Sequence, residues 1–145
     1  MTEIETSRLP RRWRERHLGA YARICADPEV MRYLPATLSR EESAEQMARF
    51  VRHWEEQGFG LWAVEESIGR VYSLYRPDVP GRLARGEHKT EVGWRLGRAH
   101  WGRGLATEGT LASVRYGLEG LGLRRIISIT LPENAASRRV MENAG

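Results

Sequence analysis

The chain has a single cysteine, a single lysine and no apolar run of the length a membrane helix requires. Cys25, being alone, excludes an intrachain disulfide. Flanked by Ile24 and Ala26 in a helix-like stretch, it reads as a small buried hydrophobe rather than a nucleophile. A membrane span needs roughly 20 apolar residues, and the opening Met1-Thr2-Glu3-Ile4-Glu5 is polar and acidic, without the apolar core of a signal peptide. The expected location is therefore cytoplasmic, with no membrane partner. The four histidines (His17, His53, His88, His100) show no metal-ligand spacing and have no cysteine cluster beside them, so no metal is expected. There are no internal repeats and no low-complexity tracts. With Lys89 the only lysine, the positive charge is carried by arginine, a skew that reflects coding composition more than function. The arginines are interleaved with glutamates instead of forming one block, and no DNA- or RNA-binding signature accompanies them. Nucleic acid is not an expected partner.

At 145 residues, 41% hydrophobic and 29% charged, the composition is that of one globular domain spanning 1–145. Thr6 to Trp13 reads as a first strand anchored by Leu9 and Trp13, with Pro10 marking it as an edge or bulged strand. Glu15 to Ala26 forms a helix with Leu18, Tyr21, Ala22 and Cys25 on one side. Asp27-Pro28-Glu29 is an N-cap followed by proline, opening a short turn through Val30, Met31 and Leu34 that Pro35 ends. Ser39-Arg40-Glu41-Glu42 is a capping-box pattern, and behind it Ala44, Met47, Val51 and Trp54 recur at helical spacing until Gly58.

From Phe59 the period becomes strand-like. Leu61 to Val64 and Ile68 to Tyr75 make a hairpin, residues 76–89 a long loop, and Thr90 to Leu96 the next strand. Thr107 to Gly120 reads as a helix with Leu111, Val114 and Leu118 on its core face, stopped at Gly122. Arg125 to Leu131 is β-branched and apolar enough for an interior strand. Asn134 then caps a last helix through Val140, Met141 and Ala144. This order of elements is an α+β, or mixed α/β, fold.

Between the strand that ends at Leu96 and the helix that follows lies Trp101-Gly102-Arg103-Gly104-Leu105-Ala106-Thr107-Glu108. A strand running into a basic, glycine-punctuated turn that opens a helix offers several backbone N–H groups to a diphosphate. Gly102 and Gly104 can take positive φ, Arg98 and Arg103 add charge, and the helix adds its dipole. The net charge of +4 suits a polyphosphate-bearing small molecule. A tight strand-to-helix connection would look the same, so the turn alone leaves both readings open.

Three further segments narrow the choice. Together with Glu91-Val92-Gly93-Trp94-Arg95-Leu96 and the turn, Pro132-Glu133-Asn134-Ala135-Ala136-Ser137-Arg138-Arg139-Val140-Met141-Glu142, Glu5-Thr6-Ser7-Arg8-Leu9 and Asp27-Pro28-Glu29-Val30-Met31-Arg32-Tyr33 resemble the GNAT acyl-CoA N-acyltransferases. The branch is that similar to the ribosomal-protein N-terminal acetyltransferases, and the resemblance covers nearly the whole chain. It implies a central, twisted, mostly antiparallel sheet flanked by helices, acetyl-CoA as cosubstrate without a metal, and a primary amine acceptor, either a protein N-terminus or a small molecule. It implies that Trp101, Gly102, Arg103, Gly104, Leu105, Ala106 and Thr107 cradle the CoA diphosphate. Trp94, Arg95 and Leu96 would pair their backbone with the pantetheine arm, as a sheet edge pairs with an added strand. Asn134 would meet the pantetheine or thioester, with Ser137 and Arg138 near it. Trp94 and Leu96 as core side chains, and Asn134 as an N-cap alone, are the competing structural readings.

Acetyl transfer to an amine demands a neutral nitrogen, a donor for the developing oxyanion, and a proton or hydrogen bond for the departing thiolate. Glu91 is the candidate base, acting directly or through water; a strand-end surface carboxylate is its alternative. A backbone N–H near Trp94 or Arg95 would serve the oxyanion. Many relatives carry a tyrosine at the place matched by Met141, whose thioether cannot donate a proton. Ser137 is the remaining hydroxyl and the candidate donor. Tyr33, Trp54 and Tyr75 are candidates for the acceptor cleft, with the core as the competing place.

Relatives also continue beyond the glycine matched by Gly145 with a further strand pair, which the chain lacks. The resemblance therefore leaves the strand from Arg125 as an open edge. Three explanations stand: a shortened gene product, a hairpin supplied by a second copy in a homo-oligomer, or a catalytically impaired CoA-binding or protein-interaction module.

Overall fold

The computed structural model describes residues 10–11, 13–64, 70–75 and 90–145. The expected strand residues Thr6 to Leu9, the hairpin residues 65–69 and the loop 76–89 lie outside the described residues. In chain order the elements are β1 (Pro10–Arg11), α1 (Leu18–Ala26), α2 (Arg40–Gln57), β2 (Leu61–Val64), β3 (Arg70–Tyr75), β4 (Thr90–Leu96), α3 (Leu105–Arg115), β5 (Ile126–Ile127) and α4 (Ala135–Asn143). A 3-10 turn at Glu15–His17 precedes α1, so the expected helix from Glu15 begins properly at Leu18.

The sheet runs in the order β1-β2-β3-β4-β5. Its first four strands are antiparallel, as the hairpin pattern implied, and β5 is parallel to β4. Pro10 sits in β1 at the sheet edge, where its missing N–H removes no interior bond.

Helix α2 starts where its sequence says it should. Ser39 Oγ accepts the Glu42 N–H at 3.1 Å, and the Glu42 carboxylate accepts the Ser39 N–H at 3.0 Å. The helix ends at Gly58, whose φ of 75° is left-handed. Ser39→Ala is expected to cost about 1 kcal/mol and lower the Tm by about 3 °C. Thermal melting checks this, and an unchanged Tm would mean that the cap contributes nothing.

Two apolar clusters hold the helices to the sheet. In one, Trp13, Tyr21, Cys25, Leu61 and Ala63 pack with Leu38, Met47, Phe50 and Val51. Cys25 is fully buried, as its neighbours in sequence suggested. In the other, Trp54, Phe59 and Val92 gather Trp94, Ala112, Val114, Tyr116, Leu121 and Ile126. The Trp54 indole donates to the Leu61 carbonyl at 2.7 Å. That close approach requires Gly60, because a Cβ there would fall 2.8 Å from the Trp54 ring. Trp54 is thus a core residue and leaves the list of acceptor-cleft candidates.

Two expectations fail here. Leu111 and Leu118 were placed on the core face of α3, yet they are 47% and 43% exposed. The buried face is instead Leu105, Gly109, Thr110 and Ser113, the last three small enough to bring the helix close to β3 and β4. The helix also begins two residues before Thr107 and ends in a π-helical turn at Tyr116–Gly120 before Gly122, where φ is 67°. The run from Arg125 to Leu131 is not an interior strand. Only Ile126–Ile127 joins the sheet, at the end of the strand order, and Ile129 and Leu131 are exposed. With one neighbouring strand, β-branched composition alone does not extend the ladder.

Candidate functional site

The site begins where two strands part. β3 accompanies β4 along its whole length, from Arg70 opposite Leu96 to Tyr75 opposite Glu91. β5 accompanies it only through Thr90–Ile126 and Glu91–Ile127. Beyond Glu91 the described β5 no longer pairs with β4, and the side of β4 that it leaves, along residues 92–96, is called the wedge. Glu91, half-buried, stands at its apex.

At the mouth of the wedge, a 3-10 turn at Arg98–His100 leads to the glycine turn. Gly102 and Gly104 both have a φ of 71°, the left-handed conformation their sequence spacing foresaw. A Cβ at either position would meet no protein atom within 4 Å, so the space over both glycines is open. The first intrahelical bond of α3 runs from the Glu108 N–H to the Gly104 carbonyl at 3.0 Å. The amides before it point out of the helix end, toward the same opening. Leu105 anchors the turn from below at 2% exposure, while Arg103 is exposed. Trp101 donates its indole N–H to the Leu96 carbonyl at 2.9 Å, tying the turn to the end of β4. Two left-handed glycines with open space above them, a helix N-terminus and the exposed Arg103 are features of the kind that fit a diphosphate.

Arg98 does not belong to that surface in the way its position suggested. Its Nε donates to Asp27 Oδ2 at 2.7 Å, bridging the turn after α1 to the end of β4. Desolvation pushes the Asp27 carboxyl up, but hydrogen bonds from Arg98 and from the Glu29 N–H outweigh it and hold the group below its ordinary value. Asp27 accepts that Glu29 N–H at 3.0 Å, so the expected cap is present; the residues after Pro28 form successive turns rather than a regular helix.

In chain order, α4 follows β5. Asn134 Oδ1 accepts the Ser137 N–H at 3.1 Å, so Asn134 is an N-cap in fact. Its part in binding a ligand stays a separate question. Ser137 and Met141 are half-buried, and Arg138 turns back to donate to the Pro132 carbonyl at 3.2 Å. Trp94 packs against the Trp54 cluster, and Leu96 is buried, so their side chains are core while their backbones line the wedge. Tyr33 is half-buried under the Arg32 guanidinium, and the Tyr75 side chain lies outside the described residues.

Sequence reasoning missed a polar cluster behind the strand. The Arg95 Nη1 donates to Tyr21 Oη at 2.9 Å, to Gln46 Oε1 at 3.2 Å and to Cys25 Sγ at 3.5 Å. Tyr21 in turn donates to Gln46. Burial pushes the Tyr21 hydroxyl far above its ordinary value, against the pull of the Arg95 charge. Only the alternation of β4, which puts Arg95 on the face opposite Val92 and Leu96 and on the same face as Glu91, hinted at this placement. Among the described residues, no group of histidine, cysteine, aspartate and glutamate could hold a metal ion, and no helix is long and apolar enough to cross a membrane.

Comparison with known proteins adds to this geometry. The profile of the acetyltransferase (GNAT) domain matches residues 9–145. The chain is 34% identical over 128 residues to the FsC-acetyl coenzyme A-N(2)-transacetylase of Aspergillus fumigatus, a match covering 82% of the chain. It spans only 53% of that relative's length. The crystal structure of a GNAT-family acetyltransferase from Bacillus anthracis superposes with a TM-score of 0.80 at 26% identity, covering 99% of this chain and 82% of that one. The ribosomal-protein-S5-alanine acetyltransferase of Vibrio fischeri shares the fold at a TM-score of 0.76 and 15% identity, covering 100% and 82%.

Proposed function

The chain belongs to the acetyltransferase (GNAT) family, whose members take acetyl-CoA as cosubstrate, and from that premise we propose that it transfers the acetyl group to a primary amine by direct attack in a ternary complex. The observation that carries this reading is the parting of β4 from β5 beside a glycine turn at the head of α3. A wedge of that shape admits an extended thioester arm, whose amides can bond the exposed strand edge at Trp94, Arg95 and Leu96. Gly102 to Thr107, with Trp101 and Arg103, hold the diphosphate. Asn134 and Arg138 flank the arm from α4.

In the reaction, the acceptor nitrogen bonds to the thioester carbonyl carbon and the carbon–sulfur bond breaks. Glu91 at the apex takes the proton that the amine loses, directly or through water. A backbone N–H near Trp94 or Arg95 stabilises the oxyanion, and Ser137 hydrogen-bonds the departing thiolate. The acceptor is a small amine or a protein N-terminus; for the Vibrio fischeri neighbour, its name gives an alanine of ribosomal protein S5.

Release of free thiol from acetyl-CoA, followed with a panel of amines and checked by calorimetric titration of CoA, tests the proposal. Amine-dependent thiol release is expected. CoA binding without thiol release for any amine would favour an impaired CoA-binding module, and no CoA binding at about 0.1 mM would end both readings. Among the described residues β5 has a single neighbouring strand, with exposed apolar residues after it, which supports pairing between two copies along that edge. The mass in solution reads that directly.

A further inference from the structure

The guanidinium of Arg95, 6.0 Å from the Tyr21 ring centroid, carries a charge that no described carboxylate balances. It is half-buried, and its neighbours, Tyr21, Cys25 and Gln46, bear no negative charge. Among the described residues no carboxylate pairs with it. A second cation, Arg49, acts on the same tyrosine and adds to the positive field. Half-burying a charge without a counter-ion is unfavourable, and chains retain such charges where a ligand supplies the counter-ion.

The geometry of the contacts is more specific than the charge. All three hydrogen bonds leave from one nitrogen, Nη1. The protein therefore fixes one corner of the planar group and leaves its opposite edge, Nε and Nη2, uncommitted among the described residues. That edge carries two parallel N–H bonds at the spacing of the two oxygens of a carboxylate. Side chains alternate along a strand, so Arg95 shares a face of β4 with Glu91, four residues and about 13 Å along the strand. Both side chains are long enough to close much of that distance.

We propose that the Nε–Nη2 edge of Arg95 binds a carboxylate on the acceptor, so that the acceptors are amines carrying a carboxylate several ångströms from the nitrogen. This rests on the reading of the chain as an amine acetyltransferase with Glu91 as base. Tyr21 and Gln46 hold the guanidinium in place, and Arg95 selects among amines.

The test is a matched pair of acceptors, 4-aminobutyrate and 4-aminobutanamide, assayed by thiol release on the wild-type chain and on Arg95→Gln and Arg95→Lys. Wild type is expected to prefer the carboxylate in kcat/KM by about tenfold or more, the effect of a charge-assisted bidentate contact. Arg95→Gln should bring the ratio to within about twofold of one, and Arg95→Lys should restore part of it. A wild-type ratio near one, or a preference that survives Arg95→Gln, overturns the proposal while leaving acetyl transfer intact. A second readout serves if neither amine turns over or a variant fails to fold: the Arg95 Nε–H resonance of the wild-type chain with CoA, titrated with the same two compounds. A shift with 4-aminobutyrate and none with the amide supports the carboxylate site. Equal response, or none, refutes it.

Discussion

Replacement of Glu91 by glutamine is expected to lower kcat/KM for amine acetylation about a hundredfold, the usual scale of a lost general base. The amide keeps the size of the side chain and cannot take a proton. Glu91 is the last residue of β4 that pairs with β5, so it sits where an arm entering the wedge would stop. The Kd for acetyl-CoA should stay within about twofold of wild type, because the glycine turn is untouched. A loss of threefold or less, about 0.7 kcal/mol, would identify Glu91 as a surface carboxylate at a strand end.

Gly104→Val should act on the cosubstrate instead. With φ at 71°, a β-branched residue is strained by about 1–2 kcal/mol, and its side chain would project into the open space above the turn. If that space receives the diphosphate, the Kd for CoA should rise about 30-fold or more, through loss of roughly 2 kcal/mol of charge-assisted hydrogen bonding. Gly58 supplies the control. Its φ is 75° and a Cβ there likewise meets nothing within 4 Å, but it ends α2. Gly58→Val should lower the Tm to a similar degree and leave the Kd for CoA unchanged. Calorimetric titration of both variants decides the matter. An unchanged Kd in Gly104→Val, or equal losses in the two variants, would remove the diphosphate from this turn.

Those features were legible in the sequence because each is local. The capping box at Ser39, the left-handed glycines, the cap at Asn134 and the strand-turn-helix from Thr90 are set within a few residues of themselves. What the sequence concealed depends on partners far along the chain. Arg95 meets Tyr21, and Arg98 meets Asp27, across the whole of α2 and strands β2 and β3, and Arg95 also meets Gln46 within α2 itself. An apolar count favoured Leu111 and Leu118 for the core, since it gives no weight to Gly109, Thr110 and Ser113, the residues small enough to let α3 approach the sheet. The run from Arg125 was overestimated for a related reason. Strand propensity is a property of the segment, while strand length is a property of the neighbours it finds.

The bed of small residues beneath α3 gives that helix a mechanical character. Thr110 and Ser113, 2% and 0% exposed, lie on the buried face of the helix like a fulcrum, and Leu105 at the helix head lies five residues from the first and eight, about 12 Å, from the second. Added bulk at the fulcrum is expected to tilt the helix and to move its head by more than the local displacement. The position of the glycine turn can therefore be retuned by a methyl group placed well inside the fold, with no change to any residue of the turn itself.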